Sequence, residues 1–471
     1  MKRSVLLLSL SLFLPLMADS SHAPISLTTS AATIGSASIS TLNLPITSQE
    51  KFGEGSFYLS PIKEEQKLIN QGYSALNVFH YVDAYRSFKT AYNLNPSSSM
   101  ALVGMNFSVL LQDTSDGAAQ LASSAINGVE KIKESSQLTQ KEETWFDFAK
   151  AFYLMKIGNA RHLTSKDSLS VSQAFQNLMA TDGENLEAKT FIHWILLNSQ
   201  NTEYIKSALE GVVAIAPNHA GAQHYLLHIA EMFDDIPRAQ SYGQSLIKLA
   251  KGSAHAQHMY GHTLPQTGQW QEALEQFLIA DNIHKTWASK NGVNISEDWH
   301  YAHNLDLMAA TYLGLEDYDN ALKNWSIAMS FDARAIRKMI GLSLALGKLE
   351  QADQVLTQIE AIAPQYKQFV KDLRQEQIYL SSKKTPSQFA EGKLGVLTRK
   401  MFSSRALLEE DQLSKDFERH FIGVFSSGGF DGWSNGFVDL MRVQNLAKAI
   451  NLKKLSQSLE ELIIKAREGS I

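Results

Sequence analysis

At 471 residues, with 44% hydrophobic and 19% charged positions, the chain is too long for one ordinary core and should form several domains or an extended repeat array. Its 43 Lys+Arg against 48 Asp+Glu leave a net charge of −5, and no long Lys/Arg stripe is present, so nothing in the charge points to nucleic acid. Cysteine is absent, which excludes disulfides, a lipid-modified N-terminal cysteine, attached c-type haem, iron–sulfur clusters and thiolate metal sites.

Lys2 and Arg3 precede an apolar run from Val5 to Met17, broken by the hydroxyls of Ser9 and Ser11 and followed by small residues at Ala18, Ser20, Ser21 and Ala23. This is the layout of a secretory signal peptide over residues 1–23, too short to span a bilayer. The expected location is therefore the periplasm of a Gram-negative bacterium, or secretion, with no membrane span after signal removal. Residues 24–58, rich in Ser and Thr and nearly uncharged, read as a flexible leader with a short strand around Ser38–Leu42.

Over 59–364 the chain reads as helix after helix. Ser60-Pro61 has the form of a helix start. Gly72, then Tyr81, then Ala84, Phe88 and Ala91 at steps of four and three, closed by Pro96, match the tetratricopeptide pattern. Small residues let two helices approach, and the aromatic fills the gap to the next pair. The signature recurs at Ala239, at Ala273 with Phe277 and Ala280, at Ala321 with Trp325 and Ala328, and more weakly at Ala352 with Leu356. Ala239 and Ala273 are one tetratricopeptide period of about 34 residues apart, whereas Ala321 comes late enough to imply an insertion around Ile283–Glu297. Between Met100 and Pro217 the pattern is degenerate, with a helix pair around Glu142–Leu154 and Glu187–Leu197. Over 365–471 the repeat signal fades. Amphipathic helices are expected at Phe369–Tyr379 and Ser414–Phe425, a loop or tight turn at Ser426–Gly436, and a helical cap from Val438 to Arg467. The fold class is thus all-α, a right-handed solenoid of helix–turn–helix repeats with a C-terminal helical cap.

Nine of the 14 histidines lie between His219 and His303. At about 100° per residue, His224 and His228 share a helical face with Glu231, and His255, His258 and His262 share another. His300 and His303 are one turn apart, with Asp306 further round. The registers repeat as well. His228 and His262 stand at the same offset before Ala239 and Ala273, and so do His224 and His258. His255 and His303 match in the same way before Ala273 and Ala321. First helices line the concave groove of such a solenoid, so these imidazoles should converge there.

The blocks Pro217-Asn-His-Ala-Gly-Ala-Gln-His-Tyr-Leu-Leu-His228, His255-Ala-Gln-His-Met-Tyr-Gly-His262 and Trp299-His-Tyr-Ala-His-Asn-Leu305 resemble those of a family of bacterial tetratricopeptide proteins. His80, in Phe79-His-Tyr-Val-Asp-Ala84, sits near a histidine of that family's first repeat. The resemblance covers roughly Leu68 to Gly347. This chain has Met259-Tyr260-Gly261 where the family usually carries Met-Pro-Ser. The resemblance implies the repeat fold and its histidine blocks, and no activity.

Imidazole suits copper, zinc, nickel and iron, and two histidines at i, i+4 beside a carboxylate are a common ligand supply. The expected ligand set is His224, His228, Glu231, His255, His258, His262, His300 and His303, with copper or zinc as the metal. Asp306, Asp298 or Glu231 would ligate or fix imidazole tautomers. An open coordination position would make the protein a metal-dependent enzyme. The alternatives are a metal-free interaction module holding a peptide, protein or small molecule in the groove, and histidines that only bond helix to helix. His193 reads as a core histidine and His219 as a cap contact. His284 lies in the insertion, and His22, His162 and His420 are scattered. The tryptophans at helical spacing read as core, with Trp299 beside His300 the exception to watch. No phosphate-cradling Gly motif or His-Glu-x-x-His is present.

Overall fold

The computed structural model describes residues 52–53, 60–112, 116–136, 138–157, 165–195, 197, 202–295, 299–329, 333–362, 367–384, 392–403, 406, 408–426 and 429–470. The signal peptide, nearly all of the leader with its expected strand, His22, His162 and Asp298 lie outside these residues, and so does the side chain of Trp299. Among the described residues the regular structure is 21 α-helices and one 3-10 segment, with no strand. No helix among them is long and apolar enough to cross a membrane.

The chain divides into two compact units, one holding the described residues up to Ile229 together with 248–253, the other holding 230–247 and everything described from Ala254 on. In the first, α1 (Lys63–Leu76), α2 (Tyr81–Leu94), α3 (Ser99–Gln112) and α4 (Asp116–Ser135) each pack on the next; α5 (Gln140–Ile157) pairs with α6 (Ser165–Asp182), and α7 (Leu186–Ile195) with α8 (Thr202–Ile215). The leading helices of successive pairs also touch, α1 on α3 and α3 on α5. This is the tetratricopeptide helix–turn–helix arrangement read from the sequence.

The small-residue pattern explains the close approach. A Cβ added at Gly72 or Gly104 would stand 2.6 or 2.5 Å from the Phe88 ring, so the ring fits between α1 and α3 only because both positions are glycine. Phe88 is fully buried, a contribution of about 1.5–3 kcal/mol. At the start of α5 a capping box forms: the Thr139 hydroxyl accepts from the Glu142 N–H at 3.3 Å, and the Glu142 carboxylate accepts from the Thr139 N–H at 2.9 Å.

The helix after Pro61 begins at Lys63 rather than at proline; the Ser60 hydroxyl accepts from the Ile62 N–H at 3.0 Å instead of capping the helix itself. In the degenerate stretch the two helices expected as a pair, α5 and α7, are not partners. α6 lies between the two helices read as a pair and is α5's true partner, tied by Trp145 Nε1 donating to Asp182 at 2.9 Å and by Lys141 pairing with Asp182 at 2.7 Å.

Two helices, α9 (Ala220–Met232) and α10 (Ile236–Leu249), contribute residues to both units. The second unit continues with α11 (Ala254–Thr263), α12 (Trp270–Asn291), α13 (Trp299–Gly314), α14 (Tyr318–Ala328), α15 (Ala333–Ala345) and α16 (Leu349–Ile362), each packed on its neighbour. The insertion expected around Ile283–Glu297 is absorbed largely by α12, which runs for 22 residues and stops at Gly292 in a left-handed cap with φ 61°. His284 and Trp287 are buried on this extension.

Beyond α17 (Lys367–Ser382), α18 (Lys393–Met401) and α19 (Glu410–Phe425) comes α20 (Gly429–Ala449), which packs on α15 and on α21 (Lys453–Glu468). The segment read as a glycine loop at Ser426–Gly436 is mostly the first turns of α20. Phe430, Trp433 and Phe437 recur there at helical spacing and seat on the core around Trp270 and Phe277, with Trp270 and Trp433 ring centroids 4.7 Å apart. Buried aromatic area outweighs the roughly 1 kcal/mol that a helical glycine costs.

Candidate metal centre

The second unit builds a three-histidine cluster from two leading helices. α11 supplies His258 and His262 one turn apart, and α13, which touches α11, supplies His303. Gly261 explains the close seating of α11 on α12, since a Cβ there would meet the Phe277 ring at 3.0 Å. Met259-Tyr260-Gly261 keeps α11 helical through Thr263, after which Pro265 opens the 3-10 turn. Tyr260 is turned to α10, its hydroxyl accepting from Gln244 at 3.1 Å.

All three histidines are buried, and each offers a ring nitrogen within 4.8 Å of the other two. His258 Nε2 and His262 Nε2 are 3.0 Å apart. Metal–nitrogen bonds of 2.0–2.1 Å place two donors roughly 2.9 Å apart at a right angle and roughly 3.4 Å apart at the tetrahedral angle. The observed separation falls between these.

The orientation of His258 is set from behind. Asn304 Nδ2 donates to the Phe277 carbonyl at 3.0 Å, which leaves its Oδ1 facing His258 Nδ1 at 3.0 Å. That oxygen can only accept, so His258 carries its hydrogen on Nδ1 and presents the Nε2 lone pair to the cluster. Glu231 Oε1 lies 3.7 Å from His262 Nδ1 and brings negative charge to the opposite side. Phe277 and Phe430 close the apolar wall, with ring centroids 5.4 Å from His258 and 6.3 Å from His262 respectively. The cluster could hold a metal ion.

The remaining expected ligands fall elsewhere. His255 and His300 face each other with ring centroids 5.0 Å apart, and His255 lies 6.0 Å from His258, beside the triad rather than in it. In the first unit, His224 and His228 on α9 repeat the α11 arrangement, with Nε2 atoms 3.0 Å apart. Asp306 does not serve the centre. Its two oxygens accept from Trp325 Nε1 at 2.7 Å and Lys338 Nζ at 2.6 Å, and that ion pair is fully enclosed. Its carboxylate is spent on core charge balance.

His193 is buried, and burial, the largest influence, holds its ring below the ordinary imidazole value, only partly opposed by a hydrogen bond to the Lys189 carbonyl. His219 caps α9, Nδ1 accepting from the Ala222 N–H at 3.2 Å, while its Nε2 lies 3.2 Å from Glu187. Sequence reasoning passed over Asn304, although it follows His303 directly and stands one turn beyond His300. It also passed over Asn77 and Phe79, whose partners on α9 are far away in the chain.

No protein-family profile matches the chain, and no curated protein matches it either. Solved structures similar to it include a Rap protein complexed with Competence and Sporulation Factor, at 13% identity and TM-score 0.37, covering 84% of this chain and 99% of that one. Another is the apo form of RapI, at 13% identity and TM-score 0.34, covering 86% and 97%. A third is a human IFIT1 dimer with PPP-AAAA, at 14% identity and TM-score 0.38, covering 91% and 96%. Likeness of that degree assigns neither ligand nor partner to this chain.

Proposed function

We propose that the protein binds a copper or zinc ion through His258, His262 and His303. The observation that supports this is the approach of the His258 and His262 Nε2 atoms to 3.0 Å, with the His258 Nδ1–H already committed to Asn304. Buried polar groups of this kind are expensive to collect without a purpose. Neutral imidazoles favour a borderline or soft cation over magnesium or calcium, which prefer oxygen. Glu231 compensates the charge of a divalent ion and orients His262 from outside the coordination sphere. The signal-peptide pattern over residues 1–23 supports placing this activity in the bacterial envelope, and N-terminal sequencing of protein from a periplasmic extract tests that placement.

The direct test is elemental analysis of untagged protein, followed by copper and zinc titration of the wild type and of His258→Ala/His262→Ala. At least one equivalent that the double variant fails to hold is the expected result. Equal uptake by both proteins, or none by either, rejects the triad.

A further inference from the structure

We propose that His224 and His228 form a second transition-metal site, built from residues of the first unit, so that the chain takes up two ions. His224 is fully buried, and its Nδ1 lies 2.7 Å from the Asn77 carbonyl oxygen. A carbonyl only accepts, so Nδ1 carries the hydrogen and the Nε2 lone pair points to His228 Nε2 at 3.0 Å. This is the same donor pair, with the same rear anchoring, that α11 makes with His258 and His262.

The anchor is itself fixed. Asn77 donates its N–H to the Tyr73 carbonyl at 2.9 Å and its side-chain N–H to Glu187 at 3.0 Å, and accepts from the Tyr225 hydroxyl at 3.1 Å. The carbonyl that aims His224 therefore cannot turn away.

The turn between α1 and α2 adds an aromatic wall. Phe79 stands at φ 61°, the left-handed turn position that Asp234 and Glu316 also take two residues before their next helices, and it is the bulky residue among the three. The turn delivers its ring to both imidazoles, with centroids 4.6 Å from His224 and 5.8 Å from His228. Trp194 flanks the other partner, 5.4 Å from His228. Two neutral nitrogen donors walled by aromatic faces suit an imidazole-preferring cation such as copper or zinc.

No residue of this pair belongs to the triad, so the two readings fail separately. The test is copper and zinc uptake by the full-length chain, dialysed to equilibrium and counted by elemental mass spectrometry. Two equivalents are expected for the wild type and one each for His224→Ala/His228→Ala and His258→Ala/His262→Ala. Undiminished uptake by His224→Ala/His228→Ala overturns the second site. Loss of an ion only in that variant, with none lost on removing His258 and His262, upholds it and rejects the triad instead. Should His224→Ala/His228→Ala not fold, Trp194 decides the matter. Copper(II) should quench the emission difference between wild type and Trp194→Phe, and should still do so when His258 and His262 are replaced. Unquenched Trp194 emission at saturating copper overturns the proposal.

Discussion

His258 on α11 and Asn304 on α13 are joined by a 3.0 Å hydrogen bond, and Asn304 hangs in turn on the Phe277 carbonyl of α12. Three helices thus fix one imidazole tautomer. Asn304→Leu keeps the volume and removes both bonds. Loss of such a rear partner weakens metal binding about 10–100-fold, and the stranded polar groups should cost the apo protein about 1–3 kcal/mol. Competition against a chelator reads the first and urea unfolding the second. Unchanged affinity in a folded Asn304→Leu protein would show that the triad needs no orientation from Asn304.

Asp306 lies three residues after His303 yet faces Lys338, both side chains 2% exposed. Asp306→Ala leaves Lys338 charged and enclosed, and destabilisation of about 3–5 kcal/mol is expected. Asp306→Leu combined with Lys338→Met should recover only part of this, because two apolar groups replace two compensated charges while the Trp325 Nε1–H loses its acceptor. Metal stoichiometry of the double variant should equal that of the wild type. A lost equivalent would mean that Asp306 does serve the centre.

The repeat fold was legible because its determinants are local. Gly72, Ala84, Phe88 and Ala91 sit at offsets that only a close helix pair needs, and the offsets of His224, His228, His258 and His262 carried the equivalence of two donor pairs. What the sequence hid was held by distant partners. Asp306 looked like a ligand from its spacing to His303, but Lys338 and Trp325 claim it. Ser426–Gly436 looked like a loop because glycine dominated the local signal, while the burial of Phe430, Trp433 and Phe437 on the Trp270 core favoured helix. Phe79 could not be placed beside His224, since nothing local marks a contact between residues so far apart in sequence.

The Phe88 ring, wedged between Gly72 and Gly104, gives the packing argument a sharp test. A methyl at Gly104 would stand 2.5 Å from that ring, and the ring cannot retreat because Gly72 presses on it from the other side. Gly104→Ala should destabilise by about 1–3 kcal/mol despite its better helix propensity. Pairing it with Phe88→Leu should relieve part of the cost, which a thermodynamic cycle from urea unfolding would show as a coupling energy. Simple additivity of the two substitutions would refute the wedge.

His193 should make the first unit sensitive to acid. Burial holds its folded-state pKa below the ordinary value, whereas in the unfolded chain the ring titrates near ~6.5. Above that pH the ring is neutral in both states and costs nothing. As pH falls below ~6.5 the unfolded chain takes up a proton that the folded one resists, so stability declines until the folded-state pKa is passed. His193→Gln retains an amide to bond the Lys189 carbonyl and has no proton to gain. The stability difference between wild type and His193→Gln, from urea midpoints of metal-free protein at pH 8 down to pH 5, should shift steadily against the wild type once pH drops under ~6.5. A difference independent of pH would mean that the buried imidazole accepts its proton as readily in the fold as outside it.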